Sequence, residues 1–505
     1  MSSINHSEDE NISLSNSNDS ISLSSDPEKG SDEKKGNISN TKKVSKQKTA
    51  QLPVRVDSNE IPRTPSNTPY STINGIKEKP VNVDTEAEYY PNIEENDINE
   101  TLQKLVTVFE LLNAQLGAGI LSVPSTFINT GIIPSIILLL LIMLLSYACT
   151  AIVIVLAKKK HTENLQELTE SILKKPGSIL LTILNLVFLN ACMTAYLILG
   201  GDMITSWFDI GGIDISTRFR HAIMIFIYAL CVPVMLTIPR SNKVLEYVSY
   251  ATVVSVLYFV IVLVYKCAHY CTKMQKINPT CRLWKVDMSI FSSLSIYGLA
   301  FALPAVVLPA IKEYNAGVKK RKFASFLGVF VCFLLVVISG FTGYFIFGDQ
   351  TDGNILKSFN SKDILIIICR VAFFVIVSCI YPMFSASAIP LWSNTIFKET
   401  DPNKNLFGWK RSVIIIINSI IPVILAMFLP TAKPIFSIGG AFGGCIVNFI
   451  FPCLMFIVYK WEREKWFCPL FLILYLCILF GAVTCIFSTY QAVLDAIESL
   501  KHVKN

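Results

Sequence analysis

The chain has 505 residues, of which 52% are hydrophobic and only 16% charged, and its formal net charge is +7. A soluble domain carries about 25% charged residues, so this composition excludes an ordinary soluble protein. The charges gather in the first hundred residues and in short loops between apolar runs. Loop Lys and Arg follow the positive-inside tendency, which removes nucleic acid as the partner implied by the positive balance.

Residues 1–100 are rich in Ser, Asn, Asp, Glu and Lys and poor in large apolar side chains. Such a stretch buries too little surface to offset its ordering entropy, so a disordered cytoplasmic tail is expected. It holds no apolar signal-peptide core.

Eleven apolar segments follow, at 105–128, 132–157, 179–207, 221–239, 244–266, 290–311, 323–347, 363–390, 411–430, 434–458 and 467–490. Each is near the ~20 residues a helix needs to cross a bilayer. They make residues 101–490 an all-α membrane domain of eleven helices, with 491–505 as a C-terminal tail. With the N-terminus cytoplasmic, the inner loops hold 19 Lys and Arg and the outer loops with the C-terminal tail hold 12. That bias favours this orientation, although the outer loop 266–289 carries five basic residues.

Segment 1 reads Glu110-Leu-Leu-Asn-Ala-Gln-Leu-Gly-Ala-Gly-Ile-Leu-Ser-Val-Pro124. Gly117, Ala118 and Gly119 loosen the backbone inside a membrane-spanning run. Broken helix at membrane depth survives only against protein or a water-filled cavity, and many transporters build their midplane site from such breaks. If eleven segments are two inverted five-helix repeats plus one, segment 6 is the partner of segment 1. It reads Ser295-Ile-Tyr-Gly-Leu-Ala-Phe-Ala-Leu-Pro304, and Gly298 with Pro304 places a second break there.

Most of the 14 cysteines fall inside apolar runs, where a thiol acts as a small hydrophobe. Cys267, Cys271 and Cys281 lie in a polar loop, where either one disulfide or free thiols fit. Gly439, Gly440, Gly443 and Gly444 in segment 10 read as a close helix contact. Asp202 reads as an interface residue and Arg370 as an internal pairing or packing residue. No catalytic constellation, metal-ligand spacing or nucleotide motif occurs, so neither an enzyme nor a cofactor is expected.

Four stretches resemble the amino acid/auxin permease family, which includes vacuolar, proton-coupled and sodium-coupled neutral amino acid transporters. They are Asn113–Pro124 in segment 1, Gly343-Tyr-Phe-Ile-Phe-Gly-Asp-Gln-Thr-Asp-Gly-Asn-Ile-Leu356 after segment 7, Pro382 with Pro390 in segment 8, and Leu429-Pro…Ile438-Gly-Gly…Pro452. The resemblance covers residues 101–490. It implies a leucine-transporter-type inverted repeat that moves amino acids across a plasma, vacuolar or lysosomal membrane. Sodium-coupled members usually show F-N-L-x-N-A where this chain has Phe109-Glu110-Leu111-Leu112-Asn113-Ala114, so Glu110 replaces the first Asn.

An amino acid brings a carboxylate and an ammonium into a low-dielectric cavity. Gly117, Ala118, Gly119 and Ile120 suit the carboxylate, because a half-helix N-terminus offers N–H donors and the positive dipole end. The alternative for these small residues is close helix packing. The ammonium is assigned to carbonyls freed around Ser295 and Gly298, with Tyr297 as an aromatic lid.

Glu110, Asn113 and Ser378 are the candidate coupling residues. An ionisable group inside a membrane marks an ion or proton path by default, which puts H+ ahead of Na+. The alternative for Glu110 is contact with water near the helix end. Ser378 keeps the segment 8 hydroxyl that the leucine-transporter arrangement uses on sodium. The expected function is therefore proton-coupled amino acid symport by alternating access. A sodium symporter and a membrane sensor signalling through the tail are the other readings, and the oligomeric state is left open.

Overall fold

The computed structural model describes residues 97–213, 217–238, 243–274, 278–312, 314, 316–398, 408–460 and 469–502. The expected tail before residue 97 lies outside them. A lipid interior offers no partner for backbone N–H and C=O groups, so apolar runs of this length become helices. Among the described residues there is no strand, and nine helices are long and apolar enough to cross a membrane.

Segment 1 is α1 (Asp97–Leu116), a 3-10 turn (Ala118–Leu121) and α2 (Val123–Thr130). The next elements are α3 (Ile132–Lys160), α4 (Leu165–Ile210), α5 (Arg218–Ala229) and α6 (Lys243–Met274). Segment 6 gives α7 (Ile290–Ala300) and α8 (Val307–Ala310). Then come α9 (Val318–Phe347), the short α10 (Ile355–Ser358), α11 (Ile364–Phe397) and α12 (Trp409–Phe428). Segment 10 runs from α13 (Lys433–Gly439) through a π-helical stretch (Gly440–Ile450) into α14 (Phe451–Lys460). The last helix is α15 (Pro469–His502).

Several boundaries differ from the sequence reading. Helix α4 begins at Leu165 rather than 179, with a non-helical kink at Lys174 (φ 61°, ψ −173°) two residues before Pro176. Helix α15 runs on to His502, so residues 491–502 continue the last segment instead of forming a tail. Helix α5 passes through a π turn at Leu230–Val234, where Pro233 removes an N–H from the ladder.

Both expected interruptions are present, and the second sits later than expected. Segment 1 breaks at Gly117 (φ −33°, ψ −167°). In segment 6, Ser295, Tyr297 and Gly298 are all helical within α7, and the non-helical stretch is 301–306. Pro304 explains the shift, because its ring clashes with the carbonyl four residues earlier and it donates no N–H. Gly298 serves packing: a β-carbon there would lie 3.4 Å from the Gly444 backbone. One at Gly440 would overlap the Ser295 carbonyl, so the π-helical stretch rests directly on the α7 backbone.

The backbone freed in segment 6 is satisfied by side chains from three other helices. Ser146 on α3 donates to the Phe301 carbonyl at 2.6 Å. Cys332 on α9 donates to the Ala300 carbonyl at 3.7 Å. The Ala305 N–H donates to Asn448 Oδ1 at 3.0 Å.

The Gly343–Leu356 stretch folds back over one end of the bundle. Asp202, with 4% of its side chain exposed, accepts from Asn354 Nδ2 at 3.3 Å and from Lys357 Nζ at 3.1 Å. Fully buried Arg370 donates to the carbonyls of Leu356 (2.8 Å), Phe359 (3.2 Å) and Ser361 (3.2 Å). Cys267, Cys271 and Cys281 are free thiols, and Cys281 donates to the Tyr344 carbonyl at 3.4 Å.

Candidate functional site

The break in segment 1 is where the helix leaves backbone donors without intrahelical acceptors. The first N–H groups of the turn at Ala118 and Gly119 are of this kind. The turn closes on itself through Ile120 N to Gly117 O at 3.4 Å and Ser122 N to Gly119 O at 3.0 Å. Ser122 Oγ is fully buried and has no hydrogen-bond partner among the described residues.

The two glycines face different surroundings. A β-carbon at Gly117 would stand 2.5 Å from the Tyr196 hydroxyl of α4, whereas one at Gly119 would meet nothing within 4 Å. Gly119 therefore borders open space. Tyr196 packs edge-on against Phe384 of α11, with ring centroids 5.4 Å apart, and Phe384 also meets Phe188 at 6.2 Å. The segment 1 break thus has an aromatic wall built by α4 and α11. Neither Tyr196 nor Phe384 was legible in the sequence, because an aromatic on an apolar helix has no mark that separates a wall from packing.

The segment 6 candidates lie in the adjoining helix. Tyr297 is fully buried, and its hydroxyl accepts from Thr126 of α2 at 2.8 Å. Ser293 donates to the Thr126 carbonyl at 3.1 Å, and Asn129 Nδ2 donates to Ser293 Oγ at 3.2 Å. These bonds join α2 to α7, so the two broken segments are held together beside their breaks. Ser295 donates to the Ser292 carbonyl at 2.8 Å and sits 2.8 Å from Ser437 Oγ of α13. Tyr297 is thus a member of the α2–α7 seam rather than an exposed lid.

The coupling candidates divide. Glu110, Asn113 and Gly117 fall at i, i+3 and i+7, on one face of α1 that ends at the break. Asn113 is buried and Glu110 half-buried. Ser378 is buried with its hydroxyl 2.9 Å from that of Tyr228 on α5.

At the α3–α4 end, a cavity of about 340 Å³ lies beside α8, with Lys158, His161, Glu163, Lys312 and Arg321 in its lining. Lys312 and Glu163 form a 2.7 Å ion pair there, and the Glu163 carboxylate holds the Lys312 ammonium above its usual range. Both side chains are largely exposed, so the pair contributes little to stability.

Residues 101–494 match the family described as transmembrane amino acid transporter protein. The chain is 22% identical over 422 residues to vacuolar amino acid transporter 2 of Saccharomyces cerevisiae, covering 80% of this chain and 86% of that one. It is 22% identical over 369 residues to sodium-coupled neutral amino acid transporter 7 of Xenopus laevis, covering 70% and 80%. Among solved structures, MhsT in complex with L-phenylalanine aligns with a TM-score of 0.47 at 13% identity, over 77% of this chain and 98% of that one. The match over most of its length places this multi-pass membrane chain in the transmembrane amino acid transporter protein family.

Proposed function

We propose that the protein is a proton-coupled symporter that holds its amino acid at the segment 1 break and works by alternating access. The observation that carries this reading is the open space beside Gly119 at an interrupted helix. In a bilayer such an interruption is retained only where it lines a cavity or is buried in protein.

The substrate carboxylate meets the N–H groups of Ala118 and Gly119 beside Ile120, whose own N–H closes the turn on Gly117, where the α2 end of segment 1 presents its positive dipole end. Ser122 Oγ and the Tyr196 hydroxyl add donors at the same break. The ammonium meets the carbonyl end of α7 toward the 301–306 stretch, using the second lone pair of the Ala300 and Phe301 carbonyls that Cys332 and Ser146 already bond. Phe384 and Phe188 supply the apolar side of the pocket.

Glu110 is the proton carrier in this reading, on the same α1 face as Asn113 and Gly117. The N-terminus faces the cytoplasm, and the membrane is vacuolar or plasma. The named relatives support amino acids as the cargo. One of them is described as sodium-coupled, which makes sodium the competing ion.

The test is uptake of a radiolabelled amino acid panel into proteoliposomes, with pH and sodium gradients imposed separately. Accumulation driven by the pH gradient alone is expected. An absolute sodium requirement overturns the coupling, and the absence of flux for every amino acid overturns the transport reading.

A further inference from the structure

Three cysteines far apart in sequence meet inside the bundle. They are Cys149 on α3, Cys453 on α14 and Cys477 on α15, all buried. Their sulfurs lie within 4.8 Å of one another, and those of Cys149 and Cys453 are 4.0 Å apart. Among the described residues this is the one group of three or more His, Cys, Asp or Glu close enough to share an ion. No sequence spacing announced it, because each helix contributes a single ligand.

We propose that these thiols form a three-coordinate site for a soft monovalent cation, Cu(I). Three points support the assignment. A metal–sulfur bond of about 2.3 Å puts the sulfurs of a trigonal site about 4.0 Å apart, so these sulfurs need move little to close on an ion. Sulfur ligands select soft ions such as Cu(I) and zinc. A structural zinc site takes four ligands, and no fourth His, Cys, Asp or Glu joins this cluster among the described residues.

Thiolates, not thiols, are the metal ligands, so the step is a substitution: three S–H bonds break, three S–Cu bonds form as the chelator gives up the ion, and the protons leave to solvent. No electron moves, and the copper stays monovalent. Cys453 is seven residues from Lys460 at the end of α14, which puts the buried site about two turns from that end of the helix.

The test is anaerobic titration of the purified full chain in detergent with Cu(I) presented on a competing chelator. One Cu(I) per chain is expected. Cys149→Ala, Cys453→Ala and Cys477→Ala should each weaken its retention by roughly tenfold or more. Cys445→Ala and Cys485→Ala, at the other buried cysteines that pack together, should leave retention unchanged. Size-exclusion profiles and thermal midpoints without copper establish that each variant is folded. If an alanine variant misfolds, X-ray absorption at the copper edge of the wild type decides. Three sulfurs in the shell support the site, and two sulfurs or a nitrogen and oxygen shell overturn it. Folded wild type that retains no copper, or a folded triple variant that still retains it, also overturns it.

Discussion

Gly117 and Tyr196 occupy one another's space: the Tyr196 hydroxyl stands 2.5 Å from where a Gly117 β-carbon would be, while two residues on, Gly119 faces nothing within 4 Å. The two glycines of the break therefore should not respond alike. Gly117→Val has to displace Tyr196 and its partner Phe384, an overpacking cost of about 1–3 kcal/mol. Gly119→Val adds methyl groups to open space, so it should keep its thermal midpoint and lose amino acid binding. Adding Tyr196→Phe to Gly117→Ala should recover part of the lost stability, as a double-mutant cycle in detergent would show. Wild-type binding by Gly119→Val would remove the break from the binding site.

Arg370→Met should destabilise the protein by about 3 kcal/mol, because three carbonyls, that of Leu356 buried and those of Phe359 and Ser361 part-buried, lose a charged donor. The same change should expose the 351–363 loop to protease. Asp202→Asn should act on that loop too, at about 2 kcal/mol, since Lys357 remains partly exposed to water. The Asp202 carboxylate holds the Lys357 ammonium above its usual range. A raised lysine stabilises fully below its unfolded pKa and loses its effect as pH rises through the folded one. The lysine's contribution is therefore present at neutral pH and is lost under strongly alkaline conditions, which a thermal midpoint series against pH checks.

Gly440→Ala should fail to fold or assemble, because its β-carbon overlaps the Ser295 carbonyl and backbone cannot step aside. Gly439→Ala meets the Ala191 methyl at 3.2 Å and the Cys192 sulfur at 4.0 Å and should be tolerated with a small loss. Equal yields of the two variants after purification would contradict the close α7 contact.

The sequence carried the helical class and the two interruptions because apolar length and loose backbone positions are local properties. The place of the segment 6 break was not legible to the same degree. Gly298 and Pro304 both signal a break, and only the packing of Gly298 on Gly444 shows that Pro304 decides. Tyr196, Phe384 and Asn448 act through partners on other helices, so nothing in their own segments marked them. The Cys149, Cys453 and Cys477 group was hidden for the same reason. Arg370 read as an internal pairing or packing residue, and its three carbonyl partners supply the reason for its burial.

Deleting residues 1–95 should leave amino acid flux unchanged, since that stretch has too little apolar content to belong to the packed domain. A truncated chain that inserts correctly yet binds no substrate would contradict this. Unchanged flux with loss of a cellular response would favour a sensing or regulatory role for the tail.

Glu110 is tested by charge removal without loss of shape. Glu110→Gln mimics the protonated acid and cannot release a proton, so it should keep binding and counter-exchange while losing pH-driven accumulation. Accumulation that survives in the variant would return the coupling role to Ser378 and the segment 1 carbonyls.

Uptake by proteoliposomes holding wild type, Gly119→Val or Glu110→Gln, under a pH gradient without sodium, joins these points in one measurement. The expected result is accumulation by the wild type, no binding by Gly119→Val, and exchange without accumulation by Glu110→Gln. Accumulation by either variant at the wild-type level, or by the wild type only when sodium is present, would contradict a proton-coupled site at the segment 1 break.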